Sequence, residues 1–302
     1  MLRGNVPALL DVMHLERIDS NLWLGRSPEG RDGRVYGGHV AAQATLAAQR
    51  TVDPAWPIHS LHAYFLRPGD PRRPILYRVE RIRDGRSFAT RRIVAHQAGR
   101  AIYSMDASFQ LREQGLHHQG PMPEAPDPDG LPHQREVHAR MRRLHPEQAA
   151  RWDWAPRPFD FRWTSERWLE FADGPREPEL ACWFRLARPL APSELAAFGD
   201  LPGSAVHTAL LVYASDHTIL DTALRPHAGR IDWDGMQIAS LDHAMWFHDE
   251  APVDDWILYQ QDAPSSAATR GLGRGSLHTR DGRLIASAIQ ESLMRQLFRS
   301  DP

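Results

Sequence analysis

The sequence predicts an α+β protein built from two tandem copies of one unit, each a long helix wrapped by an antiparallel sheet. Three observations predict it. The chain repeats itself: HSLHAYFLRP at 59–68 answers LDHAMWFHDE at 241–250, and PILYRVE at 74–80 answers WILYQQD at 256–262. The offset is nearly constant, since Phe65 and Phe247 stand 182 positions apart, Leu76 and Leu258 also 182, and Gly99 and Gly282 183. Each copy also sets an apolar, alanine-bearing helical segment ahead of runs with strand character. Finally, 302 residues suffice for two domains of about 150 each.

The elements follow in order. Gly37 and Gly38 open a helical segment, HVAAQATLAAQRTV, that ends before Pro54. Four strand-like runs come next: PIHSLHAYFLR, PILYRVERIR, SFATRRIVAHQ and RAIYSMDASFQ. They are β-branched and aromatic, and Pro-Gly-Asp, Arg-Asp-Gly and Gln-Ala-Gly turns separate them. The first unit, 1–118, therefore reads as strand, helix and a four-stranded antiparallel meander. The proline- and acid-rich stretch QGPMPEAPDPDGLPHQ opens a connection over 119–154, whose Arg- and Trp-rich second half has the makings of a short surface helix. The second unit, 155–302, repeats the plan. PFDFRW and ELACWFRLARPL are strands, PSELAAFGD a short helix or turn, and SAVHTALLVYASDHTIL the second long helix. The meander returns as MQIASLDHAMWFH, DWILYQQDA, TRGLGRGSLHT and RLIASAIQESLMR. A sheet that wraps a helix along its length suits an apolar helix such as 39–49 better than a strongly amphipathic one. This is the hotdog arrangement, and two fused units make a double hotdog.

Composition narrows the function. Hydrophobic residues are 42% and charged residues 25%, enough to bury a core. A net charge of −2 gives no reason to expect nucleic acid or an anionic membrane as partner. A single cysteine, Cys182, forms no internal disulfide and no metal cluster, which suits a reducing compartment. No apolar run approaches the roughly 18 residues of a membrane span, and neither end carries a targeting signal. A soluble cytoplasmic protein is expected.

The blocks GGHVAAQATLAAQ, HSLHAYFLRPGD, RDGRSFATRRIVAHQ, LVYASD, QIASLDHAMWFH and IASAIQESLMR resemble the acyl-CoA thioesterase II family, a double-hotdog family. The resemblance runs from about Leu15 to Arg295 and is thinnest over 131–200. It implies hydrolysis of an acyl-CoA substrate to fatty acid and CoA, with no metal or organic cofactor. It also makes a homo-oligomer, a dimer or a tetramer, an expectation. The family's catalytic set is an aspartate on the second long helix, a hydroxyl on the following strand and a glutamine on the last strand. Those positions here are Asp216 of LVYASD, Ser240 of QIAS and Gln290 of IASAIQE, with serine where the family commonly has threonine.

Each residue has its own chemistry and its own plainer alternative. Asp216 has Val212, Tyr213, Ile219 and Leu220 at helical spacing. A carboxylate on such a stripe is desolvated, which raises its pKa towards that of a working base. Spacing alone leaves open that it caps the helix end in solvent. Ser240 can orient a water against Asp216, or simply bond within its sheet. Gln290 can donate to water or to a carbonyl, or face outward on an alternating strand. The first copy carries Ala107 in its place. The N–H groups at Gly37–Gly38 could bind a thioester oxygen, or the pair could serve a tight turn.

His59, His62, His243 and His248 are expected to pack or to lie at an interface. A Ser240–His243–Asp242 triad is rejected, because adjacent strand residues face opposite ways and no nucleophile-elbow glycines surround Ser240. Arg91, Arg92, Arg270 and Arg274 could meet CoA phosphates but are more commonly solvated. Two other functions compete. A 2-enoyl-CoA hydratase would need an Asp/His loop motif that SDHTILD does not match. A non-catalytic acyl-CoA binder would be free to lose the polar set that the second copy retains.

Overall fold

The computed structural model describes residues 5–28, 33–151, 157–165, 174–233 and 235–297. In the first unit a short helix, Val6–Met13, precedes strands β1 (Glu16–Asp19) and β2 (Leu22–Gly25). The first central helix, Gly37–Gln49, comes next. It is followed by β3 (Ile58–Phe65), β4 (Ile75–Asp84), β5 (Phe88–Gln97) and β6 (Arg100–Gln110). The second unit has β7 (Phe159–Trp163), β8 (Glu179–Leu186), the second central helix Gly203–Ser215 and a short helix Ile219–Leu224. It continues with β9 (Met236–Ser240), β10 (Asp242–Phe247), β11 (Ile257–Ala267), β12 (Arg270–Thr279) and β13 (Leu284–Gln296).

Among the described residues these strands make one antiparallel sheet in the order β1-β2-β4-β5-β6-β3-β10-β13-β12-β11-β8-β7, with β9 beside β13. The order is a palindrome about the β3–β10 seam. His62 sits opposite Ala244 there, the pair that an offset of 182 carries onto itself. The halves are thus related by a pseudo-twofold axis at this seam, and the hotdog architecture expected from the repeat is present in both.

Three details differ from the sequence reading. The first meander is not sequential: β4, β5 and β6 are consecutive, but β3 pairs with β6 and not β4. The proline-rich turn at 66–74 carries the chain across, which frees the other edge of β3 for the seam. The second helix stops at Ser215 instead of running through Leu220, because its last turn tightens, with His217 N–H reaching back to Ala214 O at 3.1 Å. The extra residues fold as the short helix Ile219–Leu224. Lastly, MQIASLDHAMWFH is two strands with a break at Leu241. In the connection, Gln134–Leu144 and Pro146–Arg151 are helical, while 152–154 lie outside the described residues.

Burial explains the weak amphipathicity of the central helices. Every residue from Gly38 to Gln49 is buried, as are Ala209 to Ser215. The two helices pack on each other, the first against β4–β6, and the second meets its sheet through Tyr213 on Phe159 and Ser215 on His243 and Tyr259. Small side chains permit that approach. Tyr77 and Tyr259, 182 apart, anchor the helices alike: one hydroxyl donates to Gln43 Oε1 at 2.6 Å, the other to Ser215 O at 3.1 Å.

Candidate active site

Asp216 is the C-cap of the second central helix and only 9% exposed. That is an unfavourable place for an anion, since a helix C-terminus carries partial negative charge. The other unit supplies the compensation. Gly38 N–H, at the start of the first central helix, donates to Asp216 Oδ2 at 2.7 Å. The carboxylate thus lies at the positive end of its neighbour's helix. Two glycines make the approach possible. A Cβ on Gly37 would stand 2.8 Å from Asp216 Oδ2, and one on Gly38 2.5 Å from Tyr213 O. The Gly37–Gly38 pair therefore serves close approach, and one of its N–H groups is already committed to the carboxylate.

Ser240 Oγ donates to Asp216 Oδ1 at 3.1 Å. Gln290 Nε2 donates to Ser240 Oγ at 3.1 Å and to Ser292 Oγ at 3.3 Å. The three residues singled out from sequence are brought together, from one helix and two strands, as a chain running Gln290 to Ser240 to Asp216. Asp216 and Ser240 line a cavity of about 440 Å³ between the units, whose other walls include Tyr36, Gly37 and Phe65. Gln290 is buried behind Ser240. It reaches the cavity only through that hydroxyl.

A β-bulge makes this possible. Ser240 pairs with Ser292 and Ala244 with Ile289, so four steps on one strand match three on the other. In a regular strand Ser240 and His243, three apart, would face opposite sides. The bulge turns both towards the helix. His243 is fully buried, with Nδ1 2.7 Å from Gln290 Oε1 and Nε2 2.9 Å from Ser215 Oγ. It is packed, as expected, yet it also belongs to the site's hydrogen-bond network, which sequence reasoning missed. A signal existed: 182 positions earlier stands Leu61, so a leucine and an alanine have both become polar in the second copy. The imagined triad is not assembled. Asp242 turns away and accepts Glu291 N–H at 2.6 Å, and the ring nitrogens of His243 go to Gln290 and Ser215.

Burial sets the electrostatics. Desolvation raises the Asp216 pKa, opposed by His243, by the Gly38 N–H and by the Ser240 hydroxyl. Desolvation lowers that of His243, which keeps the ring neutral. Tyr36, whose hydroxyl donates to Tyr213 O at 2.9 Å, is pushed well up by burial and by the Asp216 charge. Among the described residues no group of three or more His, Cys, Asp or Glu side chains is arranged to hold a metal ion.

The other candidates fall elsewhere. His59 bonds Ser108 Oγ at 2.8 Å, His62 packs edge-on to Trp246 across the seam, and His248 bonds Ser287 Oγ at 2.9 Å. Arg91 is buried in the first unit, where it donates to Thr51 and Asp84. Arg92, Arg270 and Arg274 form surface ion pairs with Asp106, Glu291 and Asp262. None of the four lines the cavity.

A buried carboxylate, hydroxyl and amide from the second half of a double hotdog define the class: a two-unit hotdog protein with a polar site on a cavity between its units. Comparison sharpens the class to a family. A family model described as acyl-CoA thioesterase matches residues 193–293, and one described as acyl-CoA thioesterase N-terminal domain matches 27–110. Acyl-coenzyme A thioesterase 8 of Mus musculus is 35% identical over 306 residues, covering 97% of this chain and 91% of its own. Acyl-CoA thioesterase 2 of Haemophilus influenzae is 33% identical over 288 residues, covering 95% and 96%. Among solved structures, an acyl-CoA thioesterase II from Mycobacterium marinum aligns with a TM-score of 0.76 at 37% identity, covering 96% and 98%. The chain belongs to the acyl-CoA thioesterase II family.

Proposed function

We propose that this protein hydrolyses fatty acyl-CoA to free fatty acid and CoA, with Asp216 as general base, Ser240 holding the reacting water and Gln290 holding Ser240. The observation that carries the reading is a buried carboxylate of raised pKa on a cavity wall, with a hydroxyl 3.1 Å away. A water in the cavity, beside Asp216 and the Ser240 hydroxyl, gives a proton to the carboxylate as its oxygen attacks the thioester carbonyl. The Gly37 N–H, at a helix start on the cavity wall, serves the developing oxyanion. The C–S bond then breaks, and the proton held by Asp216 passes to the departing thiolate. Neither ring chemistry nor a covalent enzyme intermediate is needed.

The CoA end meets the cavity rim. Arg34 and Arg67 are exposed there, and each donates to a backbone carbonyl, Ile238 O at 2.5 Å and Ala101 O at 2.7 Å. Among the described residues no side chain or carbonyl occupies their other N–H groups, which can take phosphates. The protein works in fatty-acid metabolism in the cytoplasm, as a dimer or tetramer. Exposed Tyr64, Leu76 and Phe88 offer apolar sheet surface for a second copy.

Thiol release from a panel of acyl-CoAs tests the reading. Turnover of at least one chain length is expected. Arg34→Ala with Arg67→Ala should raise KM, more so at low salt, and leave kcat near wild type. A folded protein that releases no thiol from any acyl-CoA refutes the proposal.

A further inference from the structure

His243 has no step in the reaction just described, yet it occupies the far end of the site's hydrogen-bond chain. Its neighbours fix what it must do. Gln290 Nε2 points at the oxygens of Ser240 and Ser292, at 3.1 and 3.3 Å, so Oε1 faces His243 Nδ1 at 2.7 Å. An amide oxygen only accepts, and Nδ1 must therefore carry the proton. Nε2 is then the bare nitrogen, 2.9 Å from Ser215 Oγ, whose single proton can turn to it or to Val212 O at 3.0 Å. Ser215 is the residue before Asp216, so the chain begins and ends on adjacent residues of one helix.

The opposite tautomer would rearrange everything. With the proton on Nε2, the Nδ1 lone pair would face the Gln290 oxygen, and the amide would turn over to relieve it. Its oxygen would then face Ser240 and draw the hydroxyl proton towards itself. Asp216 Oδ1 would lose its donor and meet an oxygen lone pair instead. The site has two internally consistent directions, and only one of them delivers a hydrogen bond to an ionised Asp216.

We propose that His243 is a positioning residue: its Nδ1–H holds the Gln290 amide in the orientation that aims Ser240 at Asp216. The proposal rests on the thioesterase reading of the site. The first unit supplies an internal control, because Leu61 and Ala107 stand where His243 and Gln290 stand, and both are buried without polar partners. A leucine–alanine pair is thus compatible with this fold at the corresponding place.

The test uses His243→Leu, His243→Asn and Gln290→Ala, with the His243→Leu/Gln290→Ala double variant, in the full chain. Asparagine places an N–H near the position of Nδ1, and leucine does not. His243→Leu should lower kcat on the order of 10²-fold, as when a reacting group is displaced by about 1 Å. KM should stay within about twofold, since no substrate contact is lost. His243→Asn should recover most of the loss. In the Gln290→Ala background, His243→Leu should cost nothing further, because the residue through which it acts is gone. Nitrogen-15 spectra of the histidine ring in the wild type should report the Nδ1–H tautomer, a readout that does not depend on turnover. His243→Leu with near-wild-type kcat overturns the proposal, and so does an additive loss in the double variant. A ring protonated at Nε2 overturns it too, even if His243→Leu fails to fold. If wild-type protein hydrolyses no acyl-CoA, the thioesterase reading fails, and the tautomer alone then decides the role of His243.

Discussion

The two units place different residues at three matching points. Where the first buries Leu61 beside Ala107, the second buries His243 hydrogen-bonded to Gln290. The first central helix ends on Arg50, the second on Asp216. A cation suits a helix C-terminus and an anion does not. On β5 the first unit carries Arg91, opposite Ala107, whereas β12 of the second carries Gly273, opposite Gln290. Arg91 fills its site from the sheet side, donating to Thr51. Gly273 leaves its site open, and the short helix Ile219–Leu224 closes it, with Ile219 O only 2.5 Å from where a Cβ would be. At the first two points one copy follows the rules of stability and the other departs from them. Asp216 lies on the cavity wall, and Gln290 and His243 are buried in a hydrogen-bonded line behind Ser240, a place where local rules are expected to give way to function.

The largest test of this contrast is to remove the anion. Asp216→Asn keeps the shape: its oxygen can accept Gly38 N–H, and its amide can donate to Ser240. The base is lost, so kcat should fall about 10²–10⁴-fold. Stability should move the other way. Burial holds the Asp216 pKa above its ordinary value, so the native state binds this proton more tightly than the unfolded chain does. The associated stability is full below about pH 4 and is lost as pH rises through the folded pKa. The Tm of Asp216→Asn minus that of the wild type should therefore grow as pH rises from about 4. A gap that does not change with pH would mean the carboxylate is not strained by burial. Near-full turnover in the folded variant would remove the aspartate from the mechanism.

The opposite test falls on the first unit. Arg91→Ala removes a buried side chain and its bonds to Thr51, Asp84 and the carbonyl of Arg83. The expected cost is about 2–4 kcal/mol of stability, typical of losing several buried hydrogen bonds with their packing. The folded fraction should keep its kcat. Denaturant unfolding together with single-turnover thiol release separates the two quantities. A variant as stable as the wild type would show that this unit's polar residues are not structural props.

Much of this was legible beforehand, for reasons that differ by element. The sheet was readable because an offset of 182 preserved Phe65/Phe247 and Leu76/Leu258 through two meanders. The crossing of β3 was not, because strand pairing depends on where a chain returns in space, and alternation says nothing about that. That Asp216, Ser240 and Gln290 would lie together was readable through their motifs. The part of His243 was not, because it depends on a one-residue bulge at Leu241, and a bulge with no glycine leaves no mark in the sequence. The Arg50/Asp216 contrast lies off the repeat, since the helices are offset by 166 positions, not 182. The difference is taken up by the insertion that forms Ile219–Leu224.

The smallest expected effect concerns the bulge itself. Ser240→Thr keeps the hydroxyl that donates to Asp216 and receives Gln290. The added methyl restricts χ1, which favours a strand residue and pre-sets the hydroxyl. Ser240 borders the cavity, so the methyl has space on that side. We expect kcat within about threefold of wild type and a slight gain in Tm, because a side-chain rotor is fixed without a new cavity or clash. Ser240→Ala is the partner measurement. It leaves Asp216 Oδ1 without its donor and Gln290 without an acceptor, so turnover should fall while the fold holds. If threonine costs as much as alanine, the hydroxyl direction set by the bulge does not survive a change of rotamer preference. The serine would then be tuned to this strand, and not interchangeable with threonine.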